Sequence, residues 1–154
     1  MGRYTLTRHI QASPERVFEA FTDPALLKDW MDLSDVRDVT GPLDSAGARY
    51  RMIVRGPWGF RCVVLESQPP VSHRHEGRGP LGAYYRNTAR LVARDGGTDL
   101  ELETEYVVPL GPIGRLLDRL FVDKEPRAIA NRELDRLVEI VSASEDRRLR
   151  LRQA

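Results

Sequence analysis

Residues 4–30 read YTLTRHIQASPERVFEAFTDPALLKDW, and the hydrophobic period of this stretch changes once, near Ser13. Before that point apolar and polar residues alternate, which predicts a strand with one solvent-facing side. Ser13-Pro14 and Asp23-Pro24 each place a helix-capping side chain before a proline that suits the first helical turn, and apolar residues follow each pair at helical spacing. The stretch therefore predicts one strand followed by two short helices.

Turn residues divide the chain between Val36 and Leu110 at short intervals, without a helical period, and this spacing predicts six strands in a meander. After Gly111-Pro112 an apolar period of 3.6 residues returns and predicts one long helix. We expect an α+β fold in which a seven-stranded curved antiparallel sheet surrounds the C-terminal helix. Residues 1–145 would form a single domain, and residues 146–154 a charged tail.

The composition argues against several classes of protein. The 24 Lys and Arg residues nearly balance 23 Asp and Glu residues, so the net charge of +1 gives no overall field for a nucleic acid. The outward arginines are expected to be balanced by glutamates and to imply no anionic partner. Cys62 is the single cysteine, expected to be a small buried hydrophobe, and no apolar run approaches the roughly 20 residues that span a bilayer. Without the apolar core of a signal peptide, we expect a cytoplasmic protein with no integral membrane association. The expected oligomeric state is a monomer or a homodimer.

Charge pairs predict which side of each strand faces inward. If Gly96-Gly97 centres the last turn, Arg94 lies opposite Asp99 and Arg90 opposite Glu103, so that opposite charges share the outer face. Alternation then gives an inner face that is largely apolar with a few polar heads. The inner residues predicted in this way are Tyr50, Met52, Val54, Val71, His73, His75, Tyr85, Asn87, Ala89, Leu91, Ala93, Leu100, Leu102, Thr104, Tyr106 and Val108.

A curved sheet with one apolar face must be covered, and the C-terminal helix is the one predicted element long enough to cover it. A sheet wrapped around a single helix often leaves part of its concave side unfilled, so we expect a ligand cavity. In residues 58–65 apolar side chains occur at both odd and even positions. A bulge in this stretch would change which of them face inward. The expected lining residues are Tyr50, Met52, Val54, Phe60, His73, Tyr85 and Asn87 from the sheet, with Leu117, Phe121 and Ala128 from the helix.

Three segments resemble the helix-grip superfamily, which includes birch-type pollen allergens, START lipid-transfer domains and bacterial polyketide cyclase/dehydrase proteins. They are residues 10–24 with Trp30 shortly after, residues 66–70, and residues 111–120 leading into the long helix. The resemblance covers nearly the whole chain and implies a START-like domain with an internal ligand cavity. Pro126 departs from the family pattern, and we expect it to kink or break the terminal helix.

The resemblance implies a hydrophobic small-molecule ligand of aromatic, polyketide, lipid or isoprenoid type, with no cofactor. Members of the superfamily include cyclases, dehydratases, aromatases, quinone-binding chaperones and carriers, so the fold does not choose among these activities. Cyclisation or dehydration by acid–base chemistry is one prediction. The alternatives are a non-catalytic lipid or quinone carrier, and a protein-interaction module like the chaperone activators. A void of several hundred cubic ångströms would favour ligand binding over the interaction module.

Acid–base chemistry would use the polar side-chain groups on the inner face of the sheet. His75 is the candidate proton carrier, while Tyr106, with Tyr85 and Asn87, would polarise a ketone oxygen in an apolar cavity. The alternative is that the heads of Asn87 and Tyr106 satisfy each other as directly opposite residues. His73 and His75 share one side of a strand, but a third ligand is missing and no metal site is expected.

The pattern Gly-Pro-apolar-Gly occurs three times, at residues 56–59, 79–82 and 111–114. Alternate turns of a meander lie at the same end of a sheet, so these segments should gather beside the start of the long helix. We expect their apolar tips to frame the mouth of the cavity and to allow transient membrane contact. The alternative is ordinary turns whose tips pack into the core. The three tips are Trp58, Leu81 and Ile113.

Overall fold

The computed structural model describes residues 1–55, 58–108 and 126–154, without the side chain of Arg55. Within these residues seven strands form one antiparallel sheet with the order β1-β7-β6-β5-β4-β3-β2. The strands are β1 (Gly2–Ile10), β2 (Asp35–Thr40), β3 (Arg49–Arg55), β4 (Trp58–Gln68), β5 (Ser72–Arg78), β6 (Tyr84–Arg94) and β7 (Gly97–Val107). The helices are α1 (Pro14–Thr22), α2 (Pro24–Trp30) and α3 (Pro126–Gln153). This order confirms the predicted α+β fold, with two short helices after β1 and a long helix at the end.

The two short helices begin directly after Ser13 and Asp23, as predicted, but the side chain of Ser13 makes no capping hydrogen bond. The side chain of Asp23 accepts hydrogen bonds from two backbone N–H groups in the first turn of α2, at 2.8 and 3.3 Å. Trp30 then ties α2 to α1, because its indole N–H donates to the carbonyl oxygen of Ala20 at 2.7 Å. Its ring also meets Phe21 edge-on, with the ring centroids 5.4 Å apart. These contacts make α1 and α2 one packed unit against the sheet.

The two faces of the sheet differ as predicted. On the convex face Glu103 pairs with Arg90 at 3.3 Å and also with Arg3. On the concave face the buried side chains of β1, β6 and β7 belong to the same hydrophobic core as those of α3. This core includes Leu6, Ala89, Leu91, Leu100 and Leu102 from the strands, and Leu134, Leu137 and Val141 from α3.

The register of the last hairpin differs from the prediction by two residues. The loop is Asp95-Gly96, with φ of 51° and 72°, and not Gly96-Gly97. Two successive positive φ angles are typical of the type I′ turn that suits a two-residue hairpin. Arg90 therefore lies opposite Glu101 instead of Glu103. Because the shift is even, each side chain keeps its face, and both predicted ion pairs still form along diagonals.

Four residues predicted on the inner face, Val54, Val71, Ala93 and Val108, are exposed. Val71 and Val108 lie just outside strands, where alternation no longer fixes orientation, and Ala93 lies next to the hairpin loop. In β3 the pairing shifts between Ile53 and Arg55, so Ile53 is buried while Val54 is 42% exposed. Exposure does not reverse the predicted face of Val54 and Val108, because both side chains line the space between the sheet and α3.

The C-terminal helix α3 is described from Pro126 onward. The kink predicted at Pro126 concerns the junction with residues 109–125, which lie outside the described residues, as do the predicted lining residues Leu117 and Phe121 and the predicted tip Ile113. At the other end α3 continues to Gln153, and residues 146–154 are all exposed.

Candidate functional site

The site lies at the end of the sheet where β3, β5 and β7 finish and β4 and β6 begin, which we call the open end. An open-end cleft of about 360 Å³ separates the sheet from α3 here. Its lining is mostly aromatic and aliphatic, with a few polar heads. The lining residues are Tyr4, Met31, Leu33, Met52, Val54, Phe60, Ala83, Tyr84, Tyr85, Asn87, Thr104, Tyr106, Val107, Val108, Pro126, Ile129, Ala130 and Glu133.

Two of the cleft tyrosines each lie over a glycine of the neighbouring strand. Tyr85 is the register partner of Gly77, and Tyr106 is the partner of Gly2. A Cβ atom at Gly77 would lie 2.2 Å from Cε1 of Tyr85, and one at Gly2 would lie 2.3 Å from Cζ of Tyr106. Each ring therefore occupies the space of the missing side chain, which fixes its position at the cleft. A glycine inside a strand pattern was the sequence signal for this close approach, and our sequence analysis did not use it.

The hydroxyl of Tyr85 contacts the sulfur atoms of two neighbouring side chains. It lies 3.3 Å from Sγ of Cys62 and donates to Sδ of Met52 at 3.7 Å. Burial raises the pKa of Tyr85 well above its usual value, and burial raises the pKa of the Cys62 thiol to about 11. Both groups are therefore protonated at neutral pH, so Cys62 is no thiolate nucleophile.

Asn87 and Tyr106 do not satisfy each other. Asn87 lies opposite Thr104, whose hydroxyl donates to its carbonyl oxygen at 2.8 Å. Tyr106 lies opposite Tyr85, and its ring is tilted against Tyr4 with the centroids 5.9 Å apart. The predicted pairing of Asn87 with Tyr106 is thus wrong by two residues along β7, because the hairpin register is shifted by two residues. Among the described side chains the hydroxyl of Tyr106 has no hydrogen-bond partner.

His73 and His75 lie deeper than the cleft. Both are buried on the inner face of β5, and their ring centroids are 5.4 Å apart. None of their four ring nitrogens has a hydrogen-bond partner in the described part of the chain. Burial lowers the pKa of His73 to about 4, and burial, together with the neighbouring His73, lowers the pKa of His75 to about 3. Both imidazoles are therefore neutral at pH 7, and His75 is separated from the cleft by Tyr85, which it meets edge-on at 5.7 Å.

Glu133 is a site residue that our sequence analysis missed. It projects from α3 into the open-end cleft, and burial raises the pKa of its carboxyl to about 7, with Asp32 acting in the same direction against Arg136 and Arg132. The signal was an acidic residue on the apolar side of the helix, three residues after Ala130 and next to Leu134. A carboxyl that titrates near neutrality in a cleft is a candidate for proton transfer or for ligand recognition.

The predicted site residues that the structure describes fall into three groups. Met52, Val54, Phe60, Tyr85, Asn87 and Tyr106 line the open-end cleft. Tyr50, like the two histidines, is buried in the interior, and its ring lies 6.5 Å from that of His75. Ala128 is half-buried on α3 and is not among the lining residues.

The two described tips, Trp58 and Leu81, lie at the open end as the meander predicts. They are 46% and 58% exposed, so they do not pack into the core, and neither contributes to the lining of the cleft. No group of three or more potential metal ligands occurs in residues 1–55, 58–108 and 126–154. Likewise, none of the helices within those ranges is long and apolar enough to cross a membrane.

Comparison with known proteins identifies the family from the sequence. The family model described as "Polyketide cyclase / dehydrase and lipid transport" matches residues 1–142. No curated protein matches the sequence.

Solved structures share the fold at low sequence identity. Protein MLL2253 from Mesorhizobium loti has a TM-score of 0.69 at 18% identity, covering 92% of this chain and 98% of that chain. Protein CV1439 from Chromobacterium violaceum has a TM-score of 0.65 at 22% identity, covering 91% and 96%. DynU16, described as a putative protein in the dynemicin biosynthetic locus, has a TM-score of 0.62 at 17% identity, covering 93% of this chain and 48% of its own. At these identities the likeness shows the fold alone.

Proposed function

The chain belongs to the polyketide cyclase/dehydrase and lipid transport family, and from that premise we propose that it binds one apolar small molecule in the open-end cleft. The observation that carries the proposal is the cleft of about 360 Å³, a volume typical of small-molecule pockets. A void of this size favours ligand binding over the protein-interaction module. The ligand is of aromatic, polyketide, lipid or isoprenoid type. The cytoplasmic location and the monomeric or homodimeric state stay predictions.

The lining favours a ligand that has an apolar body and one polar head group. Aromatic and aliphatic side chains such as Phe60, Val54 and Ile129 would bury the body, which provides most of the binding free energy. The hydroxyl of Tyr106 and the carboxyl of Glu133 reach the same cleft from the sheet and from α3. They would orient the head, since an apolar environment strengthens a hydrogen bond and makes an unpaired polar group costly.

Native mass spectrometry of the purified chain tests the proposal by looking for a small molecule that copurifies. The variant Ala83→Phe fills the cleft and should weaken binding of that compound, or of the apolar dye anilinonaphthalene sulfonate, by about tenfold or more. Val92→Phe is the matched control, because Val92 is exposed on β6 and lies outside the cleft lining. Equal affinity of both variants would show that the cleft is not the binding site.

A second candidate function is acid–base catalysis in the same cleft, favoured by the near-neutral pKa of Glu133. The Glu133 carboxylate would take a proton from a carbon beside a ketone, while the Tyr106 hydroxyl donates a hydrogen bond to the enolate oxygen. The enolate carbon would then form the new bond to a second carbonyl, whose oxygen takes up a proton, and dehydration would release water. The role of His75 as a proton carrier stays a prediction, and Glu133 fits that role better because it reaches the cleft.

Two variants separate an enzyme from a carrier. Glu133→Gln and Tyr106→Phe should each lower the turnover of the copurified compound or its open-chain precursor by about 10²-fold or more. Their dissociation constants should rise by about tenfold at most, since the apolar lining is unchanged and one hydrogen bond to the ligand is lost. If the wild-type protein binds the compound without converting it, the carrier function is correct and the catalytic one is wrong.

A further inference from the structure

A line of four register-paired arginines crosses the convex face of the sheet from β2 to β5. The first, Arg37 of β2, is the register partner of Arg51 and pairs with Asp35 at 3.0 Å, and the other three adjoin one groove near the open end. Arg51 of β3 is the register partner of Arg61 of β4, and Arg61 is the partner of Arg78 of β5. We call Arg51, Arg61 and Arg78 the arginine row. Like charges directly opposite each other destabilise a sheet, and neighbouring strands are only about 4.8 Å apart. The fold alone gives no reason for this arrangement.

The rest of the convex face is arranged differently. Arg86 lies opposite Glu105, and Arg90 lies opposite Glu101 with an ion-pair distance of 2.9 Å. Opposite charges therefore alternate across β6 and β7, as expected for a solvated face. The prediction that glutamates balance the outward arginines therefore describes β6 and β7 but not the arginine row, whose link to that region runs through Glu76.

Acidic neighbours compensate the positive charge of the arginine row only in part. Arg51 reaches Asp38 at 3.4 Å, and Arg78 reaches Glu76 at 3.5 Å. Glu76 is shared, since its other carboxylate oxygen accepts from Arg86 at 3.3 Å. Arg61 forms no ion pair with any side chain in the part of the chain that the structure describes. The row thus carries an excess of positive charge at the surface.

A shallow groove adjoins the row and extends toward the tips of the open end. It measures about 470 Å³ and is lined by the three arginines together with Gly59, Phe60, Gly79 and Pro80. The apolar tips lie just beyond it. Leu81 is held outward by a backbone with φ of 57°, a conformation that a leucine rarely adopts. Trp58 is the first residue of β4, at the neighbouring turn.

The depth of the row below these tips matches a membrane interface. Arg61 is three residues after Trp58 on β4, so it lies about 10 Å behind that tip at about 3.3 Å per residue. Arg78 is the last residue of β5, three residues before Leu81, which lies in a short 3₁₀ turn. The polar headgroup layer of one leaflet is roughly 5–8 Å thick, and tryptophan favours the boundary between that layer and the hydrocarbon. Because the row runs across the strands, all three guanidinium groups can lie at one level.

We propose that the open end of the sheet docks on an anionic lipid bilayer, with Trp58 and Leu81 at the hydrocarbon boundary and the arginine row on lipid phosphates. Arginine suits this role because its planar guanidinium donates two parallel hydrogen bonds to a phosphate. Docking in this orientation brings the open-end cleft against the bilayer. An apolar ligand then passes between the membrane and the cleft without crossing water. The docking stands on the arginine row and the tips, independently of the ligand.

Vesicle flotation tests the docking with the full chain. We compare neutral phosphatidylcholine vesicles with vesicles that contain about 30 mol% phosphatidylserine, at about 0.15 M salt. The wild type should partition at least about tenfold more strongly to the anionic vesicles. Its tryptophan fluorescence should shift to the blue on binding, and Trp58 accounts for the shift because Trp30 is already buried.

Two variants and one control assign the binding surface. The double variant Arg51→Gln/Arg61→Gln should lose most of the binding to anionic vesicles while keeping its thermal stability, since both side chains are exposed. Trp58→Ser should weaken binding to the same vesicles. Arg90→Gln removes one positive charge from the same face outside the row, and it should bind like the wild type.

Several outcomes would overturn the proposal. Equal binding to neutral and anionic vesicles would show that the arginine row takes no part. If Arg90→Gln lost as much vesicle binding as the double variant, net charge and not the arginine row would explain the binding. If Trp58→Ser had no effect and millimolar inorganic phosphate displaced the vesicles, the row would be a site for a soluble phosphate compound instead of a membrane.

Discussion

At the scale of single residues, burial controls the chemistry of the two histidines of β5. Their rings pack against aromatic neighbours, with Phe18 meeting His73 edge-on at 5.8 Å. Neither ring has a polar partner among the described residues, so protonation would place an uncompensated charge in the core. This is the physical reason for the low pKa values of about 4 for His73 and about 3 for His75. The pair consequently makes the fold sensitive to acid.

We predict that the free energy of unfolding decreases as the pH falls from about 6.5 to about 4, by about 1.4 kcal/mol per pH unit for each histidine. In this window the unfolded chain binds protons that the folded chain excludes. His73→Phe should remove one histidine's share of the slope, measured by urea unfolding at several pH values. Glu133 contributes the opposite slope, since its pKa is raised, but it is present in both proteins and cancels in the difference.

Val64→Ala is the control for that measurement. Val64 is the register partner of His75 and is buried, so its truncation lowers stability at every pH without changing the slope. An unchanged slope in His73→Phe would mean that His73 is protonated in the folded protein.

At the scale of the elements, pairing between neighbouring strands positions the cleft. β5 supplies Gly77 and β1 supplies Gly2, and each gives room for a tyrosine ring of the adjoining strand. Neither glycine needs an unusual backbone angle, since the positive φ angles fall on other glycines. The role of these two residues is therefore space for an aromatic ring, and it exists only when the strands are in register.

We predict that Gly77→Ala lowers both the stability and the ligand affinity of the protein. The new Cβ would overlap the ring of Tyr85, which must then move out of its position in the cleft. The free energy of unfolding and the affinity for anilinonaphthalene sulfonate measure the two effects. Gly96→Ala is the matched control, because Gly96 has φ of 72° in open space at the distant hairpin loop. It should cost about 1 kcal/mol of stability without changing the affinity.

Equal affinity of Gly77→Ala and the wild type would contradict the role of Tyr85 as a fixed wall of the cleft. A loss of affinity in Gly96→Ala as large as that in Gly77→Ala would attribute the effect to stability alone.

At the scale of the whole molecule, the two ends of the sheet differ in how they are covered and in which side chains they expose. The far end is closed by α1, and the hydroxyl of Thr98 donates there to the carbonyl oxygen of Ala12 at 2.8 Å. The open end carries the cleft, the exposed tips and the arginine row. A net charge of +1 conceals this division, because it sums over separated basic and mixed regions. The assignment of residues 1–145 as the complete domain stays a prediction, although α3 continues beyond it as an exposed helix.

Much of the architecture follows from local sequence. Helix caps at Ser13 and Asp23, period-two alternation in the strands and the apolar period after residue 111 are properties of neighbouring residues, and they predict the order of the elements. They also predict that Tyr106 and Asn87 face inward, since an even shift in register leaves the faces unchanged. Six of the predicted lining and catalytic residues therefore reach the cleft.

Contacts between distant strands depend on register, which turn types and bulges determine. The Asp95-Gly96 loop sets Asn87 opposite Thr104, and the pairing of β3 with β4 shifts between Ile53 and Arg55. The same pairing aligns Arg51, Arg61 and Arg78, although the sequence spaces them 10 and 17 residues apart. Packing of α3 against the sheet places Glu133 in the same cleft as Tyr85 and Tyr106, and the resulting burial raises the pKa of the Glu133 carboxyl. Local pattern thus suffices for the fold and the orientation of its side chains, whereas the polar chemistry of the site arises only when the strands and the helix meet.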